Sequence, residues 1–394
     1  MEVYAGIDWA REFHVLCVLD ANGSKLFEGS FDHTRAGLDA LVAKLKEVQG
    51  DGRLRVAIEL KRGAVVELLH REGITVVPVH PNHLEGARRC FGAAGNKDDW
   101  KDAEILADVV RTSGYRLREL ALDSEETRRL KCIDDYRQEV LNERLRARQR
   151  LEAMLAESFP AAIGLFCDLD SLISLAFLKA YPTAQTAAPI TVAKMRVFFR
   201  RQRYSGSMSP EELITKIRAG APSIAVTSGH EFVIRAKAEH VRQLGEKLRE
   251  VEKEIESVVS THSLHATYAS LPGTATTTVA SLIANLGDLA AYKSPEALQA
   301  AAGLVPVVHQ SGKYIGTIFR IACNKDLRRV LTSFADLSRR QDKWAEKVYD
   351  DAKARKKKHQ HALRILARAW TLVIFRMVKD RATYDPTRRR RNAA

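Results

Sequence analysis

The amino-acid sequence predicts an α/β domain at the N-terminus, a helical coiled-coil region in the middle and a mostly α-helical, basic C-terminal domain. Three features carry that reading: strands alternating with helices over the first 80 residues, a 3-4 seam of apolar residues before residue 260, and positive charge confined to the last fifth of the chain. A chain of 394 residues is longer than most single domains, so two or three are expected. The divisions are placed at 1–115, 116–262 and 263–394.

Val3-Tyr4-Ala5-Gly6-Ile7-Asp8 is a short apolar run that ends in an acid. Phe13–Asp20 and Lys25–Phe31 follow as strands, and the Asn22-Gly23 turn signal between them marks a hairpin. A helical period runs through Leu38, Leu41, Val42, Leu45 and Val48. Arg55-Val56-Ala57-Ile58-Glu59 is a further strand ending in an acid, and a short helix (Val65, Val66, Leu69) leads to the strand Thr75–Val79. A meander followed by strand–helix–strand is a layered α/β sheet. Helices are expected from Lys101 to about Val110 and from Ser124 to Phe159, then short helices and loops among the prolines of 160–225. Val241, Leu244, Leu248, Val251, Ile255 and Val258 step 3-4-3-4-3, the seam of a coiled coil. That helix needs a partner, either the 124–159 helix or another protomer.

From Lys313 to Ala394 there are 23 Lys and Arg against eight Asp and Glu, while the rest of the chain is nearly neutral. A concentrated basic surface interleaved with apolar residues suggests a polyanion, and nucleic acid is the commonest one. The five cysteines are scattered with no C-x-x-C, which gives neither a zinc site nor a disulfide framework. Leu363–Phe375 is interrupted by Arg364 and Arg368 and is too short for a membrane span. With a first strand starting directly at the N-terminus and no leader, a cytoplasmic, nucleoid-associated protein is expected.

Four acids stand out by position. Asp8 and Glu59 end strands, where open α/β sheets bind ligands. Asp99 and Asp102 open a helix three residues apart, which presents both on one face. Oxygen-only ligands favour Mg²⁺ or Mn²⁺, and two such ions about 4 Å apart clamp the attacking and leaving oxygens of a phosphodiester. Asp99-x-x-Asp102 is equally what a capped, acid-rich helix start looks like. Glu59 is costly at the end of Val-Ala-Ile unless it faces a site.

Gly6-Ile7-Asp8-Trp9-Ala10, Ala57-Ile58-Glu59 with Gly63, Val79-His80-Pro81 and Lys97-x-Asp99-x-x-Asp102-Ala103 resemble the N-terminal half of the DEDD transposases of bacterial insertion sequences, also described as bridge-RNA-guided recombinases. Leu271-Pro272-Gly273, Leu286-Gly287-Asp288, Ala302-Gly303-Leu304-Val305-Pro306, His309-Gln310-Ser311-Gly312 and Asn324-Lys325-x-Leu327-Arg328-Arg329 follow in the order of the C-terminal half of that family. The resemblance implies an RNase H-like (RuvC-like) N-terminal domain whose Asp8, Glu59, Asp99 and Asp102 bind divalent metal. It also implies that Ser311 is the nucleophile and that a structured guide RNA encoded by the element chooses the target. A serine hydroxyl needs a base or a metal to activate it; Ser-Gly is also an ordinary turn. Arg320, Lys325, Arg328 and Arg329, with Arg355, Lys356, Lys357 and Lys358, suit phosphate contacts, and Arg388–Arg391 extend the positive surface. His359-x-His361 and His262-x-x-His265 lack partner ligands and are expected at the surface, whereas Trp344 and Trp370 are expected in the core.

The resulting expectation is a recombinase acting on donor and target DNA through a covalent phosphoserine intermediate. Strand exchange at two DNA partners needs several active sites, so a homo-oligomer (dimer or tetramer) built partly on the 234–258 helix is expected. Rival readings are a hydrolytic RNase H-like nuclease of the Holliday-junction-resolvase type, an actin-like ATPase or sugar kinase, and a catalytically dead nucleic-acid-binding protein. The second lacks the later Gly-rich phosphate turn it would need, and an intact set of four acids argues against the third.

Overall fold

Two turn signals break the first apolar stretch into three strands. In the computed structural model, which describes residues 2–60, 62–90, 98–121, 123–220, 227–311 and 314–387, these are β1 (Glu2–Trp9), β2 (Phe13–Leu19) and β3 (Lys25–Asp32). The Asp20 carboxylate accepts the N–H groups of Asn22 and Ser24, both at 2.8 Å, and so fixes the turn into β3. Then follow α1 (Arg35–Gln49), capped by Thr34, β4 (Arg53–Ile58), α2 (Ala64–Arg71), β5 (Thr75–Pro78), α3 (Pro81–Cys90) and α4 (Asp99–Ser113). The strand order is β3-β2-β1-β4-β5, antiparallel from β3 to β1 and parallel from β1 to β5. This sheet with its helices forms one compact unit, Met1–Leu122. The sequence reading carried β4 on to Glu59, but the strand stops at Ile58. It also left α3 without a helix.

Alternation sorts the strand residues onto two faces. Val3, Ala5, Ile7, Leu16, Val18, Val56 and Ile58 pack with α1 and α2. Tyr4, Ala57 and Val77 pack with α3 and α4, and Val15, Cys17 and Leu19 pack with Ala103 and Ala107 of α4. Gly6 lets α4 come close: a Cβ there would lie 2.0 Å from the Ala103 carbonyl oxygen and 2.4 Å from the Ala107 nitrogen.

The second unit, Asp123–Ala394, is built on α5 (Glu125–Ser158). The prolines of the next stretch divide it into α6 (Leu172–Ala180), α7 (Ala184–Ala187), α8 (Val192–Arg201) and α9 (Pro210–Ala219). Then come α10 (Ser228–Val259), α11 (His265–Ala269), α12 (Thr276–Leu286) and α13 (Pro295–Ala301). The strands β6 (Val307–Ser311) and β7 (Tyr314–Ile318) pair as an antiparallel hairpin within an otherwise helical region. Helices α14 (Lys325–Ser338), α15 (Lys343–Ala354) and α16 (His359–Lys379) close the unit.

The seam of α10 is satisfied inside the chain, against α5. Val241, Leu244 and Leu248 join a core with Leu151, Leu155 and α6–α9, while Val251, Ile255 and Val258 join a second core with Leu130 and α12–α16. Arg129–Glu254 (2.9 Å) and Arg137–Glu252 (2.9 Å) stitch the antiparallel pair from outside. The expectation that this seam builds the oligomer is therefore corrected: its apolar edge is already covered by α5. His262 is a second correction. It is 5% exposed, with Nε2 3.0 Å from Thr127 Oγ1 and Nδ1 accepting the Leu264 N–H, so it ties the end of α10 to the start of α5. Burial pushes its pKa down, towards the neutral ring that this bonding uses. His359 and His361 are exposed as expected. Trp370 is fully buried, with its ring edge-on to Trp344 at 5.1 Å, which places this pair in the core.

Candidate active site

The four acids lie at the carboxyl end of the N-terminal sheet: Asp8 near the end of β1, Glu59 just after β4, and Asp99 and Asp102 in the first turn of α4. Ile7 pairs with Ile58 across the parallel strands, so Asp8 and Glu59 are the next residues of adjacent chains. Asp8 pairs with Val15, which packs on Ala103 and Ala107; Asp8 therefore faces α4. Glu59, half-buried, is two residues beyond Ala57, which faces the same side. Helix α4 runs antiparallel to β1: its late residue Arg111 donates to the carbonyl of Ala21, beyond the end of β2 that pairs with the start of β1. Its first turn is thus at the carboxyl end of β1. Asp98 caps that turn by accepting the Trp100 N–H at 3.2 Å, which leaves Asp99 and Asp102 without the capping task.

Asp102 is 2% exposed and is gripped by Arg88 of α3: Nε donates to Oδ1 at 2.6 Å and Nη2 donates to Oδ2. Such a two-pronged guanidinium–carboxylate pair is the strong form of ion pair. The donor set fits a hard divalent cation in chemistry, since all four candidates are carboxylates. Among the described residues, however, no three His, Cys, Asp or Glu close into a group able to hold a metal ion.

The second candidate element is the β6–β7 hairpin. Ser311 is the last residue of β6 and pairs with Tyr314. Its side chain lies outside the described residues, as do Asn96, Lys97, Gly312 and Arg388–Arg391. At the root of the hairpin Arg328 is held by the fold: Nε donates to the Ala302 carbonyl at 3.1 Å, Nη2 donates to the Arg320 carbonyl, and its carbon lies 4.3 Å from the centre of the Phe319 ring. Arg364 of α16 lies 4.5 Å from the same ring. Gly303, with φ +62°, leaves room for the Arg328 guanidinium, because a Cβ would sit 2.1 Å from its Nη2. Burial and the neighbouring Arg328 push the Arg364 pKa down. Arg320 is half-buried, and half-buried Arg329 lies 3.7 Å from Asp326. Lys325 is exposed, as are Arg355, Lys356, Lys357 and Lys358 between α15 and α16.

Comparison with known proteins places the chain. Residues 5–160 match a transposase family model whose name carries the DEDD acid set, and residues 266–350 match a second, described as Transposase IS116/IS110/IS902 family. The chain belongs to the IS110/IS116/IS902 transposase family. The transposase is 34% identical over 204 residues to y4uE of Sinorhizobium fredii, which is named as a candidate transposase; the match spans 51% of this chain and 56% of that one. It is 26% identical to the 43.6 kDa protein of insertion element IS110 of Streptomyces coelicolor, over 97% of this chain and 95% of that one. With the 42 kDa protein of IS900 of Mycobacterium paratuberculosis it shares 25% identity over 98% of this chain and 97% of that one. No helix among the transposase's described residues is long and apolar enough to cross a membrane.

Two residues of these sites escape a reading of the sequence. Arg88 is 14 residues from Asp102 and on another helix, so no local spacing links them. Arg364 meets Phe319 only through the packing of α16. A basic residue on an apolar helix face is the available signal for Arg364, and in the sequence it reads only as an interruption of a membrane span.

Proposed function

We propose that this transposase cuts and rejoins DNA at the ends of its own insertion sequence, with Asp8, Glu59, Asp99 and Asp102 as the divalent-metal site and Ser311 as the nucleophile. What supports the reading is that Asp8 and Glu59 directly follow Ile7 and Ile58, which pair across the adjacent parallel strands β1 and β4. The strand order β3-β2-β1-β4-β5 supports an RNase H-like, RuvC-type assignment for this unit. Bound Mg²⁺ or Mn²⁺ would neutralise the carboxylates and the charge that develops on the scissile phosphate.

Ser311 Oγ forms a bond to phosphorus as the bond to one deoxyribose oxygen breaks; the hydroxyl proton is given up and the departing oxygen takes one. The phosphodiester energy is kept in the serine ester, so a second deoxyribose hydroxyl can reverse the step without an external energy source. Lys325, Arg329 and Arg355–Lys358 supply phosphate contacts. Arg320 and Arg328 serve the same surface through the hairpin root they form. A structured guide RNA from the element reads the target by base pairing, and a homo-oligomer supplies several active sites. We divide the labour among an N-terminal catalytic domain (1–115), a helical region (116–262) and a C-terminal domain bearing the serine (263–394).

Incubation with element-end DNA, the flanking non-coding RNA and Mg²⁺, followed by denaturation, should leave a protein–DNA adduct that Ser311→Ala loses while still binding DNA. Normal recombination by Ser311→Ala would hand the reaction to the hydrolytic, nuclease-type alternative, in which water attacks.

A further inference from the structure

A carboxylate that is 2% exposed cannot stay ionised without a counter-charge at hand. In this chain the charge on Asp102 is met by Arg88, whose guanidinium covers both carboxylate oxygens. Those are the oxygens a divalent cation would need. A guanidinium keeps its charge throughout the ordinary pH range, so Arg88 can leave only by displacement and not by losing a proton. It also has somewhere to go. Glu85, one turn earlier on α3 and half exposed, already takes Arg88 Nη1 at 3.1 Å.

We propose that Arg88 is a built-in stand-in for the cation: it occupies Asp102 while the site is metal-free and swings onto Glu85 when a divalent ion binds. This rests on the four-acid reading of the site. The guanidinium and the ion exclude one another at Asp102, so the affinity for metal is lowered by the fraction of molecules in which Arg88 is engaged. The arrangement keeps Asp102 neutralised before DNA and metal arrive. It also makes metal binding and a movement of the last turn of α3 a single event.

The test uses the full chain and Mn²⁺ alone, by calorimetric titration and by the loss of the free-ion electron paramagnetic signal. Arg88→Gln should bind Mn²⁺ about tenfold more tightly than the unaltered chain, as expected if Arg88 is disengaged in about one molecule in ten. Without metal the variant should melt at a lower temperature, because Asp102 is left unpaired, and Mn²⁺ should restore the loss. Arg88→Lys keeps the charge but not the fork, so it should fall between the two; it also provides the comparison if the glutamine variant does not fold. Unchanged or weaker Mn²⁺ binding by both variants overturns the proposal, and in that case Arg88 only positions Asp102. If neither the unaltered chain nor any variant binds Mn²⁺, and Asp8→Asn behaves identically, the four-acid reading itself falls and takes this inference with it.

Discussion

The carboxyl end of the N-terminal sheet and the root of the β6–β7 hairpin both gather charge, but they hold it in opposite ways. At the sheet end, the acids are few and set by strand register, and the most deeply buried of them is neutralised by an arginine. At the hairpin root the cations meet few acids. Arg328 is spent on two backbone carbonyls, and it shares the face of Phe319 with Arg364. The lesson is that a basic stretch in sequence is not a uniform binding surface. Some of its members are framework, whereas Arg355–Lys358 are exposed.

Three variants sharpen or break this contrast. Asp8→Asn should cost at least about 100-fold in cleavage of element-end DNA, in line with losing a group that acts on the reacting phosphate. It should leave DNA affinity where it was; a parallel loss of affinity would mean that the acids act through the fold. Arg328→Gln should cost about 2 kcal/mol of stability in chemical denaturation, since two partly buried carbonyls lose a charged donor. If the variant is as stable as the parent and loses DNA affinity alone, Arg328 belongs with the binding residues after all. The smallest effect is expected from Arg355, Lys357 and Lys358 changed together to glutamine. Stability should hold, and the slope of log affinity against log salt should become shallower by up to about 0.9 for each phosphate that the protein ceases to neutralise.

What the sequence disclosed tracks how local each cause is. The place of Asp8 and Glu59 at the carboxyl end of the sheet is legible because an apolar run closed by an acid is written in consecutive residues, and for Asp8 the alternation that turns it toward α4 is written there too. Asp99 and Asp102 were legible as a pair but open in role; the cap turned out to be Asp98. The partner of the α10 seam was left between two possibilities because heptad spacing specifies an apolar edge and not its complement. His262 was misread because its hydrogen-bond partner, Thr127, is 135 residues away in the chain. The β6–β7 hairpin is a different failure. Its strands are five residues each, too short to carry a period against the long helices around them.

The paired helices α5 and α10 have a geometric consequence. With 34 residues, α5 runs about 50 Å. Its first turns are rooted among α12–α16 and its last turns among α6–α9. The pair is therefore a strut whose length is a free parameter. Seven residues added to each helix would restore the same apolar edge and move the α6–α9 cluster outward by about 10 Å with little rotation. Two residues added to one helix alone would turn its apolar edge away from its neighbour. The reach of this strut can therefore change by whole heptads without redesigning what is anchored at either end.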